Sequence, residues 1–130
     1  MKALVVEDNF TCRRVLQRLL EPHGEVHIAV NGEEALEAFR DGMEKGQPYD
    51  LVCLDIMMPG LDGLGALEKI REIEKSDTES RPQARVIMTT SLDDSKSILK
   101  AFNDQCEAYL VKPVDGHKLQ QHLRDFGLIP

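Results

Sequence analysis

Residues 51–63, LVCLDIMMPGLDG, end an apolar run with an acid and then turn the chain sharply. Leu51, Val52, Cys53 and Leu54 read as a strand buried on both faces, where an ionised Asp55 is costly unless something compensates it. Three more strand-like runs also stop at polar residues: ALVV (3–6) at Glu7 and Asp8, RVIMTT (85–90) at Thr89 and Thr90, and EAYLV (107–111) at Lys112. If these ends meet, the carboxylates repel: two unit charges about 4 Å apart interact by roughly 4 kcal/mol at an effective dielectric near 20. A cation must balance them. Mg²⁺ suits the set best, because it is a hard ion that takes carboxylate and carbonyl oxygens, keeps waters and leaves room for a phosphate oxygen. Lys112 offsets part of the remaining charge, and the Thr90 hydroxyl completes a pocket with acceptors for a metal, a cation for phosphate and a donor for a phosphoryl oxygen.

The elements that must bring these ends together alternate along the chain. After strand 1, Cys12, Val15, Leu16, Leu19 and Leu20 fall on one helical face and Arg13, Arg14, Gln17 and Arg18 on the other, with Asn9 as the cap and Gly24 ending the unit. EVHIAV (25–30) is the second strand and Asn31-Gly32 its turn. Ala35, Leu36, Phe39 and Met43 line the next helix until GQP breaks it. Leu64, Leu67, Ile70 and Ile73 mark a third helix, with Asp62 and Gly63 shaping its start, and the polar stretch EKSDTESRPQ (74–83) reads as an exposed loop. Ser91 with Asp94 forms a capping box for a helix carrying Ile98, Leu99 and Phe102. Asp115 caps a last helix bearing Leu119, Leu123 and Phe126, closed by Gly127.

Strands alternating with helices imply an α/β fold: a doubly wound five-stranded parallel sheet whose crossovers are right-handed. Helices 1 and 5 belong on one face, helices 2, 3 and 4 on the other. Ligands of such sheets sit beyond the carboxyl ends of the strands, where Glu7, Asp8, Asp55, Thr90 and Lys112 fall.

Composition narrows the classes. A chain of 130 residues predicts one domain with one core. The 16 basic and 23 acidic residues leave a net charge of −7, which argues against general affinity for nucleic acid or an anionic membrane. Neither a bilayer-spanning run nor a signal peptide is present, so a cytoplasmic location is expected. Cys12, Cys53 and Cys106 lack metal or disulfide spacing and read as core thiols.

VVEDN after strand 1, DIMMPGLDG after strand 3, the Thr pair after strand 4 and VKP after strand 5 together resemble the receiver domains of two-component response regulators, most closely the stand-alone CheY-like type. The match covers essentially the whole of residues 1–130 and implies a single receiver domain, flavodoxin-like in fold, with strand order 2-1-3-4-5. It implies that Asp55 accepts a phosphoryl group from a sensor histidine kinase or a histidine phosphotransfer protein. Glu7, Asp8, Asp55 and the Met57 carbonyl then hold Mg²⁺, with Mn²⁺ as a substitute, and Thr90 and Lys112 contact the phosphoryl group. Thr90 is preferred to Thr89 because a small residue, Ser91, follows it; Thr89 stays open as a one-residue slip. Tyr109 matches the family's switch aromatic, Lys112–Pro113 its cis peptide, and helix 4, strand 5 and helix 5 its binding surface for a downstream target protein. A phosphorylation-dependent dimer belongs to the same expectation. Any catalysis is limited to the domain's own phosphorylation and dephosphorylation.

Each assignment has a plainer competitor. Glu7 and Asp8 also suit a helix start, Thr90 an ordinary strand, Lys112 an ordinary surface and Tyr109 simple packing. Asp55 lies four residues before Pro59-Gly60, too early to initiate that turn. His117 and His122, five apart, do not share a helical face for metal binding. A haloacid-dehalogenase-like phosphatase wants a second acid two residues after its nucleophile, where this chain has Met57. A flavodoxin-like electron carrier wants a phosphate-cradling loop where Glu7-Asp8 would repel phosphate. A phosphorelay intermediate, or a receiver excised from a larger regulator, is the nearer alternative. The 74–83 stretch is longer than the family's usual connection, and Met57 and Leu92, both apolar, are expected to leave an attacking water unoriented.

Overall fold

The computed structural model describes residues 1–79, 81–91, 95–103 and 105–130. Its elements run β1 (Lys2–Val6), α1 (Phe10–Leu20), a 3₁₀ turn (Glu21–His23), β2 (Glu25–Ala29), α2 (Gly32–Glu44), β3 (Leu51–Asp55), α3 (Gly63–Ser76), β4 (Arg85–Thr90), α4 (Ser95–Asn103), β5 (Ala108–Val111) and α5 (Gly116–Asp125). The five strands form one parallel sheet in the order β2-β1-β3-β4-β5, as the alternating pattern predicts. Among the described residues no helix is long and apolar enough to cross a membrane.

Two cores cover the sheet. On one face Leu4, Val6, Val52, Leu54, Val86 and Met88 pack against Phe39 of α2, Leu67 and Ile70 of α3 and Ala101 of α4. On the other, Ala3, Val5, Leu51, Cys53, Ile87 and Leu110 pack against Leu16 and Leu20 of α1 and Leu119 and Leu123 of α5. The central strand β3 is buried at all five positions, which explains its uninterrupted apolar run. Cys53 and Cys106 are buried and Cys12 half-buried, and all three are free; burial pushes the Cys53 thiol up to about 12, so it stays protonated.

Several sequence expectations need correction. Asn31 is not part of a free turn: its side chain accepts the Glu34 N–H at 2.8 Å and caps α2. Residues 74–76 are helical, because the last turn of α3 continues through Glu74, whose side chain is drawn inward by Arg71. Arg81, placed in the same exposed stretch, instead folds back and donates to the Met43 carbonyl at 3.0 Å. Val15, Leu99 and Phe102 are exposed rather than core-facing, since only part of each apolar stripe reaches the sheet. The Asp94 half of the predicted capping box lies outside the described residues.

Arg71 of α3, 3% exposed, is the buried charge that periodicity does not announce. Its guanidinium reaches Glu74 at 2.7 Å and Glu107 at 2.9 Å, and donates to the carbonyls of Ala84 at 2.8 Å and Gln105 at 2.6 Å. Glu107 in turn accepts the Val86 N–H at 2.6 Å. This cluster ties α3 to the entering ends of β4 and β5, the opposite end of the strands from Asp55.

Candidate functional site

Side chains alternate along a strand, so register decides which residues meet. Ala3 and Val5, Leu51 and Cys53, Ile87, and Ala108 and Leu110 all line the α1/α5 core. Steps of two along each strand therefore carry Glu7, Asp55, Thr89 and Lys112 to that same face. The ladder extends past the strand ends to support this row: Glu7 N–H donates to Ala29 O at 3.1 Å and Lys112 N–H to Thr90 O at 2.7 Å.

The acids converge. One carboxylate oxygen from each of Glu7, Asp8 and Asp55 lies within 4.8 Å of the others. Glu7 is fully buried and Asp55 is 3% exposed, whereas Asp8 is open to solvent. Lys112 reaches in from the end of β5, its ammonium against Glu7 Oε1 and 3.4 Å from Asp55 Oδ1. The second Glu7 oxygen accepts the Asn9 N–H at 3.1 Å, and Arg13 donates to the Glu7 carbonyl at 3.1 Å. Lys112–Pro113 is cis.

Crowding and burial set the protonation of this cluster. Burial, and then the Glu7 charge, push the Asp55 carboxyl up to about 7 against the opposing pull of Lys112. Burial raises Glu7 as well, but Lys112, the Asn9 N–H and a hydrogen bond with Asp55 outweigh it and leave Glu7 below the ordinary carboxylate value. Burial works to discharge Lys112, yet its contacts with Glu7 and Asp55 hold the ammonium above its usual value. Without a metal, Glu7 and Lys112 thus carry the charges and Asp55 retains a proton well above the normal carboxylate range. Three hard carboxylate oxygens gathered within 4.8 Å of one another fit a divalent cation such as Mg²⁺.

The connection after β3 holds Asp55 in place. Met57 N–H donates to Asp55 Oδ1 at 3.3 Å, and the Met57 side chain is 65% exposed. Asp62 caps α3 by accepting the Gly65 N–H at 2.9 Å, while Glu33 of α2 braces the loop by accepting Leu61 N–H at 3.2 Å. Gly63 is obligatory for a steric reason: a Cβ there would sit 2.0 Å from the Asp55 carbonyl oxygen. Gly60 takes φ +76°, the left-handed conformation that lets the chain reverse after Pro59.

The two threonines part ways. Thr89 pairs with Asp55 in the β3–β4 ladder and shares its face. Thr90, 2% exposed, continues the face of Val86 and Met88, and Met88 pairs with Tyr109. Tyr109 is 39% exposed and meets Phe102 of α4 edge-to-face at 6.1 Å. Leu92 lies outside the described residues. Sequence reasoning missed Arg13, Glu33 and the Arg71 cluster, which act on backbone groups or distant acids and leave no spacing signal.

The residue pattern and this geometry agree with known proteins. A model of the response regulator receiver domain matches residues 3–124. The hybrid signal transduction histidine kinase L of Dictyostelium discoideum is 32% identical over 127 residues, 97% of this chain and 7% of that protein. The receiver domain of the histidine kinase CKI1 from Arabidopsis thaliana, solved with Mg²⁺ and BeF₃⁻, is 29% identical with a TM-score of 0.83, covering 97% of this chain and 89% of that one. A chain of the Saccharomyces cerevisiae co-crystal of the phosphotransfer protein Ypd1 with the receiver domain of Ssk1 matches at 28% identity and a TM-score of 0.84, over 98% of this chain and 88% of that one. This chain spans between 6% and 46% of the length of the curated relatives it matches. Matching strand order, matching motifs and a match over nearly all its length establish that the chain belongs to the response regulator receiver domain family of two-component signalling.

Proposed function

We propose that residues 1–130 act as a single receiver domain in which Asp55 is the phosphoacceptor. The observation that carries this reading is the buried convergence of Glu7, Asp55 and Lys112 with Asp8 at the carboxyl rim of the sheet. Glu7, Asp8 and Asp55, with the Met57 carbonyl, would hold Mg²⁺ or Mn²⁺, whose bound charge shields the phosphoryl oxygens from the acids. The Asp55 carboxylate oxygen forms the new bond to phosphorus as the P–N bond of a phosphohistidine breaks, the electron pair leaving with the imidazole nitrogen. Lys112 neutralises charge on the incoming group, and the Thr90 hydroxyl donates to it.

The donor is a sensor histidine kinase or a histidine phosphotransfer protein. Phosphorylation adds charge beyond Asp55 that draws Thr90 toward it, and Tyr109, on the same sheet face, follows into the space vacated. The face of α4, β5 and α5, which exposes Leu99, Phe102, Tyr109 and Val111, changes accordingly and presents a surface to a downstream target protein or a second phosphorylated copy. The setting is cytoplasmic and the output is protein binding rather than direct contact with nucleic acid.

Its likeness to histidine kinases and to a receiver domain crystallised with a histidine phosphotransfer protein favours one further reading, a relay receiver that passes its phosphoryl group onward. Incubation with acetyl phosphate and Mg²⁺, followed by intact mass, is expected to add one phosphoryl group to the wild type and none to Asp55→Asn. An unlabelled wild type, or equal labelling of the variant, would overturn the Asp55 assignment. Return of the label to a histidine phosphotransfer protein separates relay from terminal switch.

A further inference from the structure

The first turn of α2 holds the backbone of Leu61 at two points. Gly32, the first residue of the helix, lies so close that a Cβ there would sit 2.4 Å from the Leu61 carbonyl oxygen. Glu33, next in the chain, accepts the Leu61 N–H at 3.2 Å through its side chain, 28 residues away in sequence. An acid in the first turn of a helix ordinarily answers the dipole or a nearby N–H, as Glu34 does by accepting from Val30 at 2.9 Å. Glu33 reaches past its own helix to a different segment.

That segment is the loop after Asp55. Residues 56–63 close on themselves, since the Gly63 N–H donates to the Ile56 carbonyl at 3.0 Å and Gly63 abuts the Asp55 carbonyl. Within the loop, the Met57 N–H donates to Asp55 itself, the Met58 side chain is buried in the core beneath α2 and α3, and Leu61 packs against that core. The Met57 carbonyl, which joins the three acids in holding the metal in the proposed function, therefore belongs to a loop whose far arm is gripped by α2. Gly60, at φ +76°, joins the two arms and is free to turn further once Leu61 is released.

We propose that Glu33 is a positioning residue for the divalent cation, its side-chain oxygen holding Leu61 so that the loop presents the Met57 carbonyl to the site of Glu7, Asp8 and Asp55. This rests on the reading of those acids as a metal-binding phosphoacceptor site, and Glu33 itself stands outside the converging set. What Glu33 contributes is a hydrogen-bond acceptor rather than a negative charge, so a glutamine can take its place.

Titrating Mg²⁺ alone into the wild type, Glu33→Ala and Glu33→Gln, with the amide NMR shifts around Asp55 as the readout, tests the role. The Kd for Mg²⁺ should rise about fivefold in Glu33→Ala, the value of one ordinary hydrogen bond. It should stay at the wild-type figure in Glu33→Gln, whose side-chain oxygen accepts the same N–H. Phosphoryl uptake from acetyl phosphate at Mg²⁺ concentrations below the Kd should fall in the same proportion in Glu33→Ala and not in Glu33→Gln. An equal rise of the Kd in both variants would overturn the proposal in favour of the lost charge. A Kd unmoved in Glu33→Ala, with only a lower metal-free melting midpoint, would reduce Glu33 to support of the fold. In either case a wild type that binds Mg²⁺ and takes the label leaves the Asp55 reading standing. A wild type that does neither removes that reading and this proposal together.

Discussion

The Lys112 ammonium, entering from the end of β5, stands 3.4 Å from Asp55 Oδ1 while resting against the fully buried Glu7. It is the local counter-charge for two acids delivered by different strands. Lys112→Ala should therefore destabilise the protein by about 3 kcal/mol without metal, because a buried carboxylate loses its partner. Added Mg²⁺ should return part of that loss. Urea unfolding followed by circular dichroism, with and without the ion, measures both.

The acids are crowded beyond what one lysine balances. Asp55→Asn and Asp8→Asn should each raise the metal-free melting midpoint, by about 1 kcal/mol or some 4 °C. The gain should shrink for both variants in Mg²⁺. Lower midpoints in both would count against a clustered acidic site.

A pH dependence follows from the same residue. Asp55 is raised to about 7 when folded, by burial first and Glu7 second, against about 3.9 when unfolded. The folded state then holds the proton more tightly, so stability contributed by Asp55 is full below about pH 4 and is lost as pH rises through about 7. Glu7 has the opposite sign, since its lowered value gives stability that is lost only as pH falls below the ordinary carboxylate range. Metal-free melts between those limits should slope downward with pH in the wild type and flatten in Asp55→Asn.

Arg71 gives a prediction away from the rim. Arg71→Leu leaves Glu74 and Glu107 without their shared cation and should cost about 3–5 kcal/mol. Burial already raises the Glu107 carboxyl against the pull of Arg71, so losing the guanidinium should raise it further. Phosphoryl uptake at a temperature where the variant remains folded should match the wild type, as mass spectrometry would record.

Gly63→Ala probes the loop that seats Asp55. Because a Cβ would overlap the Asp55 carbonyl, the backbone must shift, costing about 1–3 kcal/mol by overpacking. Both the melting midpoint and the rate of phosphoryl uptake should fall, whereas Gly46→Ala, in open space but at φ +69°, should affect the midpoint alone.

What the chain discloses locally matches closely. The strand RVIMTT begins and ends where expected, and Asn9, Asp62 and Asp115 cap helices because cap chemistry acts over three residues. The rim residues could be collected because parallel topology sends every strand end the same way. What escaped is long-range or masked by polarity. Arg71 meets Glu107 across 36 residues, and no periodicity marks such a pair. The end of α3 was hidden because its polar last turn resembles a loop, although its helix geometry continues to Ser76. The choice between Thr89 and Thr90 depends on strand register, which neighbouring residues in the sequence do not reveal.

A charged fastening sits where strands begin, around Arg71, while the cluster of acids sits where they finish. The two demands draw on different side chains and need not be traded against each other. Descendants of such a scaffold can therefore acquire new correspondents by rewriting the outgoing loops, with the fastening at the far end left undisturbed.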